Sequence, residues 1–231
     1  MNSPLLQIHH HHAPAQWARA ACAAIAGSLA GRGPRQLLLS GGSTPAPVYR
    51  ELAATALDWE QLSLGLADER WLPDGDANRN DVLIAEHLLA RQAQARLRPL
   101  ARFADGLQAC VNQANAHWHS HPGHAVVVLG MGNDSHTASL FPGASNLDQA
   151  INSPLPYAAI DAHGCPGAQQ FPLRISLTPA GLAACRQRFL LLRGQDKLDT
   201  LQAALAANDP TRHPILHALA GAEPLQVYWC A

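Results

Sequence analysis

Apolar positions recur along this chain with two different periods. Trp17, Ala21, Ala24, Ile25 and Leu29 fall at helical spacing, so the first expected element is a helix, stopped by Gly31, Gly33 and Pro34. Residues 36–39 form a short apolar run bounded by glycines, the pattern of a strand covered on both faces. Residues 40–45 make a glycine-rich loop. A helix is expected behind it, with Thr44 as N-cap, Pro45 in the first position, and Val48 and Leu52 turned inward. The unit then recurs: residues 62–67 predict a strand, 68–80 a long polar loop and 81–90 a helix. Leu107, Val111 and Ala114 mark another helix, and the run 125–129 is the clearest buried strand, leading into Gly130-Met131-Gly132. Residues 174–177, 189–192 and 226–229 read as further strands, and Leu198, Leu201 and Leu205 as the inner stripe of a late helix.

Strands alternating with helices predict an α/β fold, a mostly parallel central sheet with helices on both faces. Right-handed crossovers place the loops that follow the strands on one edge, where such sheets bind ligands. The loops after Leu39, Ala67 and Leu129 should therefore converge on one crevice. A single domain is expected over residues 1–231, with a flexible N-terminus at 1–13 and an irregular, proline-containing excursion at 141–172.

Composition narrows the partners. Sixteen Lys and Arg against seventeen Asp and Glu leave a net charge of -1, so nucleic acid is not an expected partner and any anion site must come from local geometry. The five cysteines are odd in number and widely spaced, and they form no C-x-x-C pair; reduced thiols in the cytoplasm are expected. No apolar run approaches the roughly 18 residues of a membrane span, and no basic-then-apolar leader opens the chain, so neither membrane association nor a signal peptide is expected. His9–His12 is a run in an expected mobile terminus, where loose histidines bind metal only adventitiously, and His117, His119, His121 and His124 fit no standard zinc spacing, so no metal site is expected at either.

Three loops carry candidate chemistry. In Ser40-Gly41-Gly42-Ser43-Thr44-Pro45, Gly41 and Gly42 let the backbone approach an anion, while Ser43, Thr44 and helix amides can donate to it. In Asp68-Glu69-Arg70-Trp71, Arg70 can fork onto a phosphate or steady an anion, with Asp68 and the later Asn80 as partners for sugar hydroxyls; a surface ion-pair cluster with a turn asparagine is the plainer alternative. The third loop delivers Gly132, then Asp134, then His136 from the end of the clearest core strand. Histidine is the side chain best matched to proton transfer near neutral pH, and Asp134 can orient its ring or contact substrate. Lys197, in the first turn of a helix where the dipole disfavours a cation, suggests an anion nearby, and Arg174 can face the same crevice. No G-x-S-x-G elbow is present, which weakens a serine-hydrolase reading.

The stretches LLLSGGSTPAPVYREL, ADERWLP with Asn80 downstream, LGMGNDSHTASLFPG, and RISLT followed by GQDK, in this order, resemble the 6-phosphogluconolactonase family over residues 37–197. The resemblance implies the fold of the glucosamine-6-phosphate deaminase and ribose-5-phosphate isomerase group. It also implies hydrolysis of 6-phosphoglucono-δ-lactone, in the pentose phosphate pathway, with no required metal or organic cofactor. By motif position His136 would be the general base, and Gly42, Ser43, Thr44, Arg70 and Lys197 would hold the phosphate or nearby oxygens. This chain departs from the family pattern at Ser135, where glycine is usual, at Arg79, where serine is expected, after Pro214, and at the C-terminal YWCA. A sugar-phosphate isomerase or amino-sugar deaminase is the first rival, disfavoured by HTASLFPG. A sugar-phosphate-sensing domain is the second, disfavoured by the short stretch before the first strand. A monomer or homodimer is expected.

Overall fold

The computed structural model describes residues 5–31, 35–120 and 124–231, so the helix stop at Gly33 and Pro34, and His121, lie outside the described residues. In chain order the elements are β1 (Leu6–His11), α1 (Pro14–Ser28), β2 (Arg35–Leu39), α2 (Ala46–Ala53), β3 (Leu62–Leu66), β4 (Asp68–Arg70), α3 (Asn80–His87), α4 (Leu107–Ser120), β5 (His124–Leu129), α5 (Leu147–Ile151), β6 (Tyr157–Asp161), β7 (Leu173–Leu177), α6 (Pro179–Ala184), β8 (Gln187–Arg193), α7 (Gln195–Ala207) and β9 (Leu225–Cys230).

Six strands form one sheet in the order β1-β9-β8-β5-β2-β3, and every pairing in it is parallel. Alternation along the strands splits the core in two. Leu37, Leu39, Val126, Val128, Phe189 and Leu191 pack with α1, α2 and α3 through Trp17, Val48 and Ile84. Leu38, Val127, Leu129, Leu190 and Leu192 point the other way, toward Val111 of α4, Leu182 of α6 and Leu201 of α7. The expected sheet with helices on both faces is thus present.

Three differences from the sequence reading have physical causes. The segment 1–13, expected to be flexible, contains β1, which adds a parallel strand to β9 from Leu6 opposite Leu225 to His11 opposite Cys230. Strand pairing outweighs the polar histidine run because the imidazoles stack on aromatic neighbours: His9 lies 4.5 Å from Tyr228, centroid to centroid, and His10 lies edge-on to Trp229 at 5.3 Å. The expected polar loop at 68–80 begins as a strand. The chain leaves the parallel sheet at Ala67, whose amide donates to Leu39 and whose carbonyl accepts from Leu177, and enters a second, antiparallel sheet of order β4-β7-β6. That sheet also takes in part of the excursion at 141–172, where β6 pairs with β7. Finally, Thr44 does not cap α2: the helix starts at Ala46 and Pro45 stands at the N-cap, with no side-chain cap bond.

The loop after β2 is held from below. Buried Tyr49 donates its hydroxyl to the Ser40 carbonyl at 2.7 Å and accepts from the Ser40 amide at 3.0 Å. Replacing Tyr49 by Phe leaves two backbone groups without this partner. Tyr49→Phe is expected to lower the unfolding free energy by about 1–3 kcal/mol, read by urea denaturation.

Candidate active site

The strand order locates the site. From β2 the sheet grows through β3 on one side and through β5, β8 and β9 on the other, so the direction reverses between β2 and β5. A crevice opens there at the carboxyl ends of the strands. The loops after β2 and β5 face each other across it, joined by β4, β7 and the start of α7. The crevice holds about 210 Å³, lined by Gly41, Gly42, Thr44, Asp68, Arg70, Asn80, Gly132, His136, Arg174 and Lys197. Ten of the twelve candidate site residues therefore meet. Ser43 is exposed and off the lining, and Asp134 stands behind His136 rather than on the wall.

One wall is cationic. In the β4–β7 ladder Arg70 is opposite Arg174, and Asp68 is opposite Ser176. Like charges in that position are normally unfavourable, so the pair suits a bound anion. Each guanidinium also sits over a ring, Arg70 over Phe171 at 5.2 Å and Arg174 over Phe141 at 5.3 Å. Arg174 is buried, bonds the Phe171 and Ala168 carbonyls, and has its pKa pulled down to about 10 by burial, which Asp68 opposes. Lys197, half-buried, donates to the Met131 carbonyl at 2.9 Å, and burial lowers its pKa. Asp68 is fixed by the Ser139 hydroxyl at 2.6 Å.

Asn80 acts as a spacer. Its side chain donates to the Asp68 carbonyl at 2.8 Å, and its Oδ1 would lie 1.8 Å from a Cβ on Gly41. Gly41 is thus required by close approach, whereas Gly42, at φ 92°, needs the left-handed region. Arg79 explains itself here: buried, it pairs with Asp81 at 2.6 Å and Asp74 at 2.8 Å and donates to the Leu72 and Ala101 carbonyls, pinning the loop that presents Asn80.

The same crevice carries the dyad. His136 Nδ1 lies 2.6 Å from Asp134 Oδ1, and the ring leans on Phe141 at 4.3 Å. Burial raises the Asp134 carboxyl pKa, but the hydrogen bond and charge of His136 outweigh it and hold the pKa below the ordinary aspartate value. In the tautomer that donates Nδ1–H to ionised Asp134, Nε2 is the free acceptor. Glycines close the dyad in. A Cβ on Gly132 would come within 2.2 Å of His136 Nδ1, and one on Gly167 within 2.2 Å of Asp134 Oδ2.

Ser135, between the two, has φ 62°, the left-handed conformation that favours the glycine usual there. Two contacts from the far side hold it: the Ile215 amide donates to its carbonyl at 3.0 Å, and His213 Nδ1 stands 2.9 Å from its hydroxyl, which also reaches the Asp134 carbonyl at 2.5 Å.

Besides His213, four residues escaped the sequence reading. Arg193 lines the crevice at the end of β8, a position that strand placement alone signals. Ala138, also on the wall, has φ 48°, which nothing local announces. Gly167 sits far along the chain from the dyad it touches. Glu69, fully buried, accepts from the amides of Arg70, Asn80 and Asp81 at 2.7–2.9 Å, joining β4 to the start of α3; burial pushes its pKa up to about 7 against those donors. Among the described residues no group of three His, Cys, Asp or Glu side chains is placed to hold a metal, and no helix is long and apolar enough to cross a membrane.

Comparison with known proteins fits this geometry. Residues 10–229 match the family model described as glucosamine-6-phosphate isomerases/6-phosphogluconolactonase, and the chain belongs to that family. It is 46% identical over 236 residues to a 6-phosphogluconolactonase of Xylella fastidiosa, covering 100% of this chain and 98% of that protein. A crystal structure of a 6-phosphogluconolactonase from Shewanella baltica superposes with a TM-score of 0.88 at 32% identity, covering 98% of each chain. A monomeric glucosamine-6-phosphate deaminase shares the fold at a TM-score of 0.79 and 17% identity, over 97% of each chain.

Two outcomes are expected. His213→Ala should cost about 0.5–1.5 kcal/mol of stability in the native background and almost nothing after Ser135→Gly, because glycine adopts this φ without the hydroxyl anchor; urea denaturation of the four proteins measures the coupling. The lowered Asp134 pKa makes its contribution to stability complete above the unfolded-state value near 3.9, with loss as pH falls through the folded value. Asp134→Asn should therefore flatten the stability profile below about pH 4, read by thermal unfolding across pH.

Proposed function

We propose that this chain is a 6-phosphogluconolactonase, hydrolysing 6-phosphoglucono-δ-lactone to 6-phosphogluconate with a water activated by His136. The observation that carries this reading is the 2.6 Å Asp134–His136 contact in a crevice that Arg70, Arg174 and Lys197 also line. The named relatives support the choice of substrate.

The substrate phosphate lies against the Gly41-Gly42-Ser43-Thr44 loop and the cations Arg70, Arg174 and Lys197, with Asp68, Asn80 and Gly132 meeting ring hydroxyls and the carbonyl region. Ser43 itself does not line the crevice. That clamp supplies orientation some bonds away from the reacting carbon. His136 Nε2 takes a proton from water as the water oxygen bonds to the lactone carbonyl carbon. Asp134 keeps the ring in the required tautomer and stabilises the imidazolium. The negative carbonyl oxygen is met by Arg70 or a loop amide. Collapse then breaks the bond to the ring oxygen, and the imidazolium returns its proton to that oxygen. A δ-lactone is an activated ester, so no covalent enzyme intermediate is needed.

Five buried free cysteines suit a reducing compartment. We place the reaction in the cytoplasm, within the pentose phosphate pathway, on a monomer or homodimer.

His136→Ala is expected to lower kcat by about 10²–10⁴ with little change in KM, and Lys197→Ala to raise KM more than it lowers kcat. Hydrolysis of freshly generated lactone, measured against its spontaneous opening, checks both; a His136→Ala protein as fast as the wild type would overturn the assignment of the base.

A further inference from the structure

A second cleft, about 180 Å³ against about 210 Å³ for the active crevice, lies over β2 and β3 beside α4. Its floor comes from strand register: Gln36 is opposite Ser63 and Leu38 opposite Gly65, all on the face that α4 covers. In β3, Leu62, Leu64 and Leu66 bury toward α1 and α2, while the small residues Ser63 and Gly65 leave the other side hollow. A Cβ on Gly65 would come 2.9 Å from Leu38 Cδ2, so the glycine keeps the floor deep.

The cleft's charge is one-sided. Arg98 and Arg102 line it together with Trp118 of α4, and no Asp or Glu lines it among the described residues. Neither arginine is in an ion pair with a carboxylate among the described residues. The Arg98 guanidinium donates to the Gln113 carbonyl at 3.5 Å, and burial together with the like charge of Arg102 lowers its pKa. In a chain of net charge -1 this local surplus is not inherited from the global balance. Two exposed guanidiniums lining one cleft offer forked donors suited to phosphate. The polar floor of Gln36 and Ser63 suits hydroxyl groups better than hydrocarbon.

We propose that this cleft is a second ligand site, for a phosphorylated, hydroxylated metabolite of about the size of a hexose phosphate. Its phosphate rests on Arg98 and Arg102 and its hydroxyls on Ser63 and Gln36. The strand that floors it continues through Ala67 to Asp68 of the active crevice, and Tyr157, on the cleft wall, donates its hydroxyl to the Leu66 carbonyl at 2.8 Å. Occupancy therefore bears on the segment that carries Asp68.

Isothermal titration calorimetry of the full chain tests this, with 6-phosphogluconate as probe and glucose 6-phosphate as a second probe. The wild type is expected to bind two equivalents. Arg98→Ala/Arg102→Ala should lose one of them, with at least a tenfold fall in its affinity, and keep the lactonase rate. Gly65→Ala, which fills the floor by a different route, should weaken the same equivalent. Arg70→Ala/Lys197→Ala should remove only the other. If the lactonase reading fails, this last variant is silent while the Arg98→Ala/Arg102→Ala loss remains. The proposal is overturned if Arg98→Ala/Arg102→Ala titrates like the wild type with both probes.

Discussion

Everything at the crevice depends on the hydrogen-bonded seam between β2 and β5. These two strands are distant in sequence, yet Leu37 pairs with Val126 and Leu38 with Val127. Because the chain adds strands outward in both directions from this seam, the two loops that leave it find no helix between them. One loop brings glycine and backbone donors; the other brings an imidazole. A sheet with the same strands in simple sequential order would bury that gap under a crossover. The chemistry is thus a consequence of topology before it is a consequence of any side chain.

The second sheet completes the cavity. Ala67 is shared by both sheets, so the chain turns from the parallel core into a ladder whose inner face carries Asp68, Arg70 and Arg174. Burying Arg174 and opposing it to Arg70 costs stability, which the surrounding carbonyls and rings offset only in part. An anionic ligand would relieve that cost. The squeezed glycines at 132 and 167 follow the same logic: they let a carboxylate and an imidazole meet at 2.6 Å with no side chain between them.

The parallel sheet and most of the wall were legible in the sequence because their signals are local. An apolar run ending in glycine announces β2 or β5, and a histidine after such a strand stands out. What escaped was non-local. Gly167 and His213 act on the dyad from 31 and 77 residues further along than His136, counted from their positions in the chain. The strand β4 is three residues long and polar, so its pairing with β7 leaves no period to read. Glu69 was hidden for a different reason: in an Asp-Glu-Arg cluster only burial tells which acid is structural. The N-terminal strand was masked by histidines, whose low strand character is overcome by the rings of Tyr228 and Trp229 beneath them.

Those histidines behave unlike a run of the same letters at a loose chain end. Neighbouring side chains of a strand point to opposite sides, so His9 and His11 turn toward Tyr228 while His10 meets Trp229 on the other side. His9 also shares a hydrogen bond with Gln226 at 2.9 Å. Within β1, sequence neighbours therefore present their imidazoles on opposite sides of the strand, whereas His9 and His11 share one. The same letters in an unfolded chain carry no such division, so the sidedness of the run is a property of the sheet edge and not of the residues themselves.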